Sequence, residues 1–191
     1  MHEEISEEHI FMIEKQVITL KDFDAPGYIL DIGGGGEGII GILKQNVIAI
    51  DKRKDELEEA PDGPLKIVMD ARELQFLDNV FETVTAFFTF MYIKSPDRAK
   101  VFEEIYRVLN PGGSVLIWDV VIPPRRDNTK DIFGVPLEVT VQDNKIKTGY
   151  GVRWEGAEQD VDYYRKLAKT VGFTIEAQKE QGQVFHLQLK K

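Results

Sequence analysis

The sequence predicts an α/β fold in three layers, with helices on both faces of a doubly wound, mostly parallel sheet. Three observations support this prediction. Short, nearly continuous apolar segments recur along the first two thirds of the chain, as in strands that are buried on both faces. Segments with helical periodicity separate several of them. The last third breaks this alternation, which predicts a β-hairpin inserted after the fifth strand and an antiparallel hairpin at the C-terminus.

The five strand candidates are rich in β-branched and aromatic residues. They are YILDI (28–32), VIAID (47–51), LKIVMD (65–70), FETVTAFFTF (81–90) and SVLIWDVV (114–121). The clearest helix lies between the last two: Ser95 can cap its start, Pro96 suits its first turn, and NPGG at 110–113 ends it. Before the first strand, SEEHIFMIEKQVITL predicts a further helix with a capping box at Ser6, in an N-terminal helical segment of residues 1–25.

Residues 123–156 interrupt the alternation of strands and helices. Within them, GVPLEVTVQDNKIKTGYGVRW predicts a hairpin that turns at Asn144 and Lys145. Two interpretations stay open for this inserted hairpin: a lid over a binding site, or an arm that pairs with a second copy in a homodimer. A helix then ends at Gly172, and two strands joined near Gly182 complete the sheet.

Composition limits the classes of function. The chain has 191 residues, 42% of them hydrophobic, which predicts a single domain over residues 1–191. It has no cysteine, which excludes disulfides, cysteine metal sites and thiol nucleophiles, and no metal site is predicted. The net charge of -9 disfavours nucleic acid, so a small molecule is the expected partner. Because no apolar segment reaches bilayer length and the first residues are acidic, we expect a cytoplasmic protein without a membrane partner.

The most informative motif is YILDIGGGGEGIIG at 28–41. Gly33, Gly35 and Gly38 satisfy G-x-G-x-x-G after a strand, a pattern that allows a sharp turn and the close approach of a ligand. Asp51 ends the next strand, where a carboxylate can accept hydrogen bonds from ribose hydroxyls. Loop and acid together indicate an adenosine cofactor, although a tight turn without a ligand remains the simpler interpretation of the glycines alone.

Two cofactors contain adenosine and suit such a loop: a dinucleotide, as in an NAD(P)-dependent oxidoreductase, and S-adenosylmethionine. A dinucleotide brings a pyrophosphate to the start of the helix, where acidic residues are unfavourable. This chain has Asp31 before the loop and Glu37 within it. S-adenosylmethionine carries an ammonium and a sulfonium instead, so the acids favour the second cofactor.

From about Tyr28 to Leu189 the sequence resembles the class I S-adenosylmethionine-dependent methyltransferases, whose sheet is Rossmann-like. The resemblance rests on ILDIGGGGEG, VIAID, MDARELQF, the long segment from FETVTAFFTF to SVLIWD with its L-x-PGG turn, and the terminal antiparallel pair. The chain departs from the family pattern at two places. Gly34 stands where a cysteine or alanine is frequent, and Met91 and Tyr92 stand where many members have a histidine-rich pair, which puts histidine catalysis in doubt.

The resemblance implies S-adenosylmethionine as the cofactor and a role for each matching residue. Asp31 would hold the amino group, Asp51 the ribose hydroxyls and Asp70 the adenine amino group. Gly33 and Gly35 would lie against the methionine part and the ribose. Three further contacts are implied: Lys52 flanking the adenine ring, the Ala71 amide beside Asp70, and Phe87 by the methionine moiety.

The expected reaction is in-line transfer of a methyl group to an oxygen or nitrogen of a small molecule, which requires alignment in a dry pocket. The catalytic candidates are Tyr92 and Asp119, at the carboxyl ends of the fourth and fifth strands. The candidates for contact with the acceptor are Met91, Arg125, Arg126 and Tyr150, where an arginine would recognise an anionic group. Three alternatives stay open: a non-catalytic S-adenosylmethionine-binding or partner subunit, an RNA or protein acceptor, and the NAD(P)-dependent oxidoreductase.

Overall fold

The computed structural model describes residues 7–126 and 129–191. In chain order, its strands are β1 (Ile10–Met12), β2 (Gln16–Leu20), β3 (Ile29–Ile32), β4 (Val47–Asp51), β5 (Leu65–Val68), β6 (Phe81–Phe87), β7 (Leu109–Val120), β8 (Ile132–Val141), β9 (Asn144–Arg153), β10 (Thr174–Gln181) and β11 (Val184–Lys190). The α-helices are α1 (Ile39–Leu43), α2 (Lys54–Glu59), α3 (Ser95–Val108) and α4 (Val161–Val171). Short 3₁₀ turns occupy Glu7–His9 and Phe90–Tyr92. Within the described ranges, no helix is long and apolar enough to cross a bilayer.

The main sheet has seven strands in the order β10-β11-β7-β6-β3-β4-β5. Strands β3 to β7 run parallel, while β11 is antiparallel to β7 and β10 is antiparallel to β11. The predicted doubly wound α/β sheet with a C-terminal antiparallel hairpin is therefore confirmed. The chain builds outward from β3 through β4 and β5 and then returns to β6 on the other side of β3. This reversal opens a crevice at the carboxyl ends of β3 and β6, where such sheets bind ligands.

Two apolar clusters cover the two faces of the main sheet. On one face, Val101, Phe102 and Ile105 of α3 pack with the sheet and with α4. On the other face, Ile39 and Ile40 of α1 share a cluster with the buried side chains of β8. A second, smaller sheet therefore packs against the face that carries α1, at the edge of the crevice.

The second sheet contains β9, β8, β1 and β2, and it corrects the prediction for the N-terminus. Residues 10–12 and 16–20 form strands rather than a helix, and both pair in parallel with β8. The β-branched run Val17, Ile18 and Thr19 favours a strand once β8 offers a partner, and this tertiary pairing overrides the helical pattern. The predicted cap Ser6 lies outside the described residues.

The inserted hairpin exists, but its turn lies two residues before the predicted one. Val141 pairs with Asn144, so the loop consists of Gln142 and Asp143, and Asn144 begins β9. Gln142 adopts a positive φ of 52°, which the reversal requires. Because β1 and β2 occupy the other edge of β8, that edge is covered within the same chain and is not available to a second copy.

Near the C-terminus the sequence and the structure agree. Asp160 caps α4 by accepting a hydrogen bond from the backbone N–H of Tyr163 (2.7 Å), and Gly172 ends the helix with a φ of 119°. The final turn contains Gly182, as expected, with a φ of 61°. The hairpin of β10 and β11 thus extends the main sheet beyond β7.

A buried arginine fastens the loop after β6 to the start of α4. Arg98 is fully buried, and its guanidinium donates to the backbone carbonyls of Ile93 (2.9 Å), Glu158 (2.9 Å) and Ala157 (3.2 Å). It also lies over the ring of Tyr163, 5.4 Å from its centroid. These contacts satisfy the charged group without a carboxylate partner and hold the segment that follows β6 in place.

Candidate functional site

A cavity of about 1130 Å³ opens at the carboxyl ends of β3, β4 and β6. The glycine loop between β3 and α1 forms its floor, and the segments after β4, β5 and β6 form its walls. Residues 146–151 of β9 contribute Ile146, Gly149, Tyr150 and Gly151, and we call this stretch the roof segment. Part of the inserted hairpin therefore lines the cavity.

The glycines of the loop are explained first by close packing within the protein. Gly33 has a φ of +72°, and a Cβ there would lie 2.5 Å from the side chain of Thr89. A Cβ on Gly35 would lie 2.6 Å from the Cβ of Glu56 in α2. The motif predicted a sharp turn and the close approach of a ligand, and the structure adds that both positions need glycine so that the loop can contact its neighbours. The resulting backbone still lines the cavity at both glycines.

Asp31 lies beneath the loop and is only 3% exposed. Its carboxylate accepts a hydrogen bond from the Thr85 hydroxyl (2.7 Å), and it lines the cavity. Burial raises the pKa of Asp31 to about 7, although the Thr85 hydrogen bond acts in the opposite direction. The nearby carboxylate of Asp51 raises this pKa further. A cation bound beside Asp31 would favour its charged form.

Asp51 and Asp70 lie at the carboxyl ends of neighbouring strands, as predicted, and both line the cavity. Asp51 accepts a hydrogen bond from the backbone N–H of Arg53 (2.8 Å). Asp70 accepts hydrogen bonds from the backbone and the guanidinium of Arg72, the shortest at 2.7 Å, and these contacts lower the pKa of Asp70. Arg72 also pairs with Asp97 (3.1 Å). An adenine ring would therefore share Asp70 with Arg72, a contact that no sequence pattern predicted.

The remaining predicted cofactor residues lie in the same walls. The exposed Lys52 follows Asp51, the half-buried Ala71 follows Asp70, and both line the cavity. Phe87 is buried at the end of β6, lines the cavity, and packs with Trp118 at a ring-centroid distance of 6.1 Å. The structure thus brings together all eight positions that the resemblance assigned to the cofactor.

A carboxylate that the sequence analysis did not include among the site residues connects the glycine loop to the roof segment. Glu37 accepts hydrogen bonds from the hydroxyls of Thr148 and Tyr150, the latter at 3.0 Å. Phe88 stacks on Tyr150 at a centroid distance of 5.2 Å. Burial and the charge of Glu37 raise the pKa of Tyr150 above its usual range. Glu37 and its two partners are more than 100 positions apart in sequence, so no local pattern could predict this contact.

Of the two catalytic candidates, one lines the cavity. Tyr92 lines it and is 46% exposed. Asp119 is fully buried and does not line the cavity. Its carboxylate accepts hydrogen bonds from the backbone N–H of Val120 (2.8 Å), the Gln159 side chain (2.7 Å) and the backbone N–H of Met91 (3.2 Å). Burial raises the pKa of Asp119 to about 6, and its contacts are those of a residue that joins β7 to the loop after β6.

Three of the four predicted acceptor contacts also lie away from the cavity lining. Met91 is buried in the apolar core and offers its backbone to Asp119. Arg125 pairs with Asp131 (2.9 Å), and Arg126 is exposed. Since neither arginine lines the cavity, recognition of an anionic acceptor by this pair is not supported. Tyr150 is the one predicted acceptor contact that does line it.

The cavity is acidic. Seven carboxylates line it, from Asp31, Glu37, Asp51, Glu56, Glu59, Asp70 and Asp97. The basic residues that line it are Lys52, Arg53, Arg72 and Lys94, of which Arg53 and Arg72 already pair with acids. Such a lining favours a ligand with positive charge. No group of three or more side chains suited to holding a metal ion occurs in the parts of the chain described by the structure.

Comparison with known proteins finds similarity to methyltransferases. Residues 30–117 match the family model described as a methyltransferase domain. The chain is similar to the ubiquinone/menaquinone biosynthesis C-methyltransferase UbiE of Desulfotalea psychrophila, with 33% identity over 52% of this chain and 44% of that relative. It is also similar to phosphoethanolamine N-methyltransferase 2 of Caenorhabditis elegans, with 36% identity over 50% of this chain and 24% of that relative. The chain thus spans less than half the length of either relative.

A solved structure extends the likeness over most of the chain. An S-adenosylmethionine-dependent methyltransferase from Mesorhizobium loti superimposes with a TM-score of 0.63, covering 88% of this chain and 94% of that one. The sequence identity is 15%, so this likeness concerns the fold.

Proposed function

We propose that this chain is a class I S-adenosylmethionine-dependent methyltransferase and that it transfers a methyl group from S-adenosylmethionine to an oxygen or nitrogen of a small molecule. One observation carries the proposal: a single cavity joins the glycine loop and the strand-end acids to an aromatic, hairpin-covered end. The first part of this cavity suits the cofactor, and the second leaves room for an acceptor. The fold and the family model support the same conclusion.

We propose that the residues around the glycine loop hold the cofactor by its charge and its hydroxyls. Asp31 would face the α-ammonium, and Asp51 would accept hydrogen bonds from the ribose. Asp70 and Ala71 would contact the adenine edge with Lys52 beside the ring, while the backbone at Gly33 and Gly35 and the ring of Phe87 would border the methionine part. The acidic lining fits a ligand that carries both an ammonium and a sulfonium.

The bound cofactor would supply a methyl group on a positively charged sulfur, which a nucleophile attacks in line. The protein's own contribution is alignment and exclusion of water. The roof segment, held to the glycine loop through Glu37, covers the cavity, and Phe88 gives the covered side an apolar surface. Tyr92 lines this end of the cavity and is partly exposed, so an acceptor would contact it from solvent.

The proposal is tested first by binding. Isothermal titration calorimetry should show S-adenosylmethionine and S-adenosylhomocysteine binding at sub-millimolar concentration, with affinity falling about 10-fold or more in Asp51→Ala because hydrogen bonds to a charged group are lost. Asp162→Ala, which removes an exposed carboxylate from α4, is the matched control and should bind normally. No binding by the unmodified protein would sink the proposal, and binding of NADH in its place would favour the oxidoreductase.

Transfer is tested separately. The protein is incubated with cofactor labelled in the methyl group and with fractions of a metabolite extract, and label should appear in a low-molecular-weight product. Binding without transfer to any fraction would favour a non-catalytic or partner subunit. Label in the RNA or protein fraction alone would replace the small molecule with a macromolecular acceptor.

A further inference from the structure

The end of the cavity beneath the roof segment has a distinct chemistry. Its side chains are Glu37, Phe88, Tyr92 and Tyr150, which we call the acceptor end. Of the four basic residues of the lining, three lie on the segments after β4 and β5, and Lys94 follows Tyr92 by two residues, before α3. The side chains that define the acceptor end are three aromatic rings and one carboxylate.

These four side chains lie close together. The Tyr150 hydroxyl donates to Glu37, and Phe88 stacks on the ring of Tyr150 at a centroid distance of 5.2 Å. Tyr92 lines the same cavity and forms a hydrogen bond with the backbone of Gly151, the residue after Tyr150. Thr148 and Tyr150 provide two donors to Glu37, whereas a carboxylate can accept about four hydrogen bonds, so Glu37 keeps capacity for a ligand.

We propose that the acceptor end binds a small amine, so that the acceptor atom is nitrogen and the methylated product is a cation. This inference rests on the methyltransferase function proposed above. Aromatic faces attract an ammonium group by about 0.5–2 kcal/mol each, and a carboxylate adds a charge of the opposite sign. An anionic acceptor would be repelled by the charge of Glu37.

The chemistry balances without a further reactant. The amine loses a proton, which Glu37 accepts and passes to water, and the freed lone pair forms the new N–C bond. The C–S bond breaks, and its electron pair stays on the sulfur, which becomes a neutral thioether. The positive charge of the sulfonium thus moves to the nitrogen, where the rings and the carboxylate stabilise it.

Two probes of equal shape and different charge test the inference. Choline is a permanent cation, and 3,3-dimethylbutan-1-ol is its neutral isostere with carbon in place of nitrogen. Calorimetry is carried out on the protein saturated with S-adenosylhomocysteine, and choline should bind at least about 10-fold more tightly than the alcohol. Equal binding of the two probes, no binding of choline, or tighter binding of 3,3-dimethylbutanoate would overturn the amine assignment. Failure of S-adenosylhomocysteine to bind would instead refute the methyltransferase proposal itself.

Substitutions identify the groups responsible. Glu37→Gln should reduce the choline preference to about 3-fold or less while S-adenosylhomocysteine still raises the melting temperature, which shows that the fold and cofactor site are intact. Tyr150→Phe keeps the ring and should keep most of the preference, whereas Tyr150→Leu should lose it. Glu138→Gln removes a carboxylate from β8 that pairs with Lys15 outside the cavity lining, and it should leave the preference unchanged. Unchanged preference in both Glu37→Gln and Tyr150→Leu would refute the acceptor end as the binding site.

Discussion

Asp31 is expected to make cofactor affinity depend on pH. In the protein without ligand, burial raises the pKa of this carboxyl to about 7, so near pH 6 it is mostly protonated. An ammonium group bound beside Asp31 favours the ionised form. Binding below pH 7 therefore requires Asp31 to release a proton, and this release weakens the observed affinity.

The size of the effect follows from the pKa. If the bound state keeps Asp31 ionised, affinity should fall about 10-fold per pH unit below 7, giving about 10-fold at pH 6 and about 100-fold at pH 5. S-adenosylhomocysteine is the suitable ligand, since it keeps the ammonium and does not react. Calorimetry from pH 5 to 7.5, in two buffers with different heats of ionisation, measures both the affinity and the proton released.

Asp31→Asn is the decisive variant because it has no proton to release at this position. Its affinity should be lower at pH 7.5 and nearly constant down to pH 5. Asp162→Asn, on the exposed face of α4, should retain the slope of the unmodified protein. An affinity that stays level in the unmodified protein, or an equal slope in Asp31→Asn, would refute the assignment of Asp31 to the ammonium.

Asp31 also makes the stability of the fold depend on pH. The folded-state pKa of Asp31 lies above its usual value of 3.8, so between pH 4 and 7 the unfolded chain ionises while the folded protein keeps the proton. This contribution lowers the free energy of unfolding as pH rises through that window, by about 4 kcal/mol in total, and it is constant above pH 7. The pKa of Asp119 is also raised, to about 6, so this residue likewise lowers the free energy of unfolding as the pH rises to 6. The contribution of Asp119 persists in the Asp31→Asn variant. Urea unfolding at several pH values measures the difference between the two proteins.

Two further substitutions, each with a control substitution, test the packing that positions the site. Gly33→Ala should lower the free energy of unfolding by about 2–4 kcal/mol. The alanine would have to adopt a positive φ, and its Cβ would lie 2.5 Å from the side chain of Thr89. Gly112 has a similar φ of +78° but open space around it, so Gly112→Ala should lower the free energy of unfolding by only about 1 kcal/mol. Equal losses in the two variants would contradict the steric argument. Arg98→Met should cost about 3 kcal/mol or more in urea unfolding, since one buried and two partly buried carbonyls lose their donor. The exposed Lys100→Met should change stability by less than about 0.5 kcal/mol, and an equally mild effect of Arg98→Met would contradict its fastening role.

The parts of the fold with local signals were predictable from the sequence. The continuous apolar runs correctly predicted the parallel strands, because a strand buried on both faces needs little information from elsewhere in the chain. The same holds for the strand-end acids Asp51 and Asp70, whose position follows from the direction of parallel strands. These features predicted the crevice and the residues around the glycine loop.

The features that sequence reasoning missed depend on contacts between distant segments. Residues 16–20 become a strand only because β8 lies beside them, and Glu37 belongs to the acceptor end only because Tyr150 reaches it. Asp119 looked like a catalytic acid at a strand end, yet its neighbours Val120 and Gln159 use its oxygens. Burial and partner choice, which no local pattern contains, decided each of these cases.

The pairing of the N-terminal strands with β8 also determines the order in which this molecule can be built. During synthesis β1 and β2 leave the ribosome first, but their neighbours arrive late, as with His9 and Asp131, which are 122 positions apart. Closing so long a loop has a high entropic cost before any pairing repays it, so the second sheet is expected to assemble after β3 to β7 have paired. The N-terminal strands would therefore pair with β8 only after the crevice has formed.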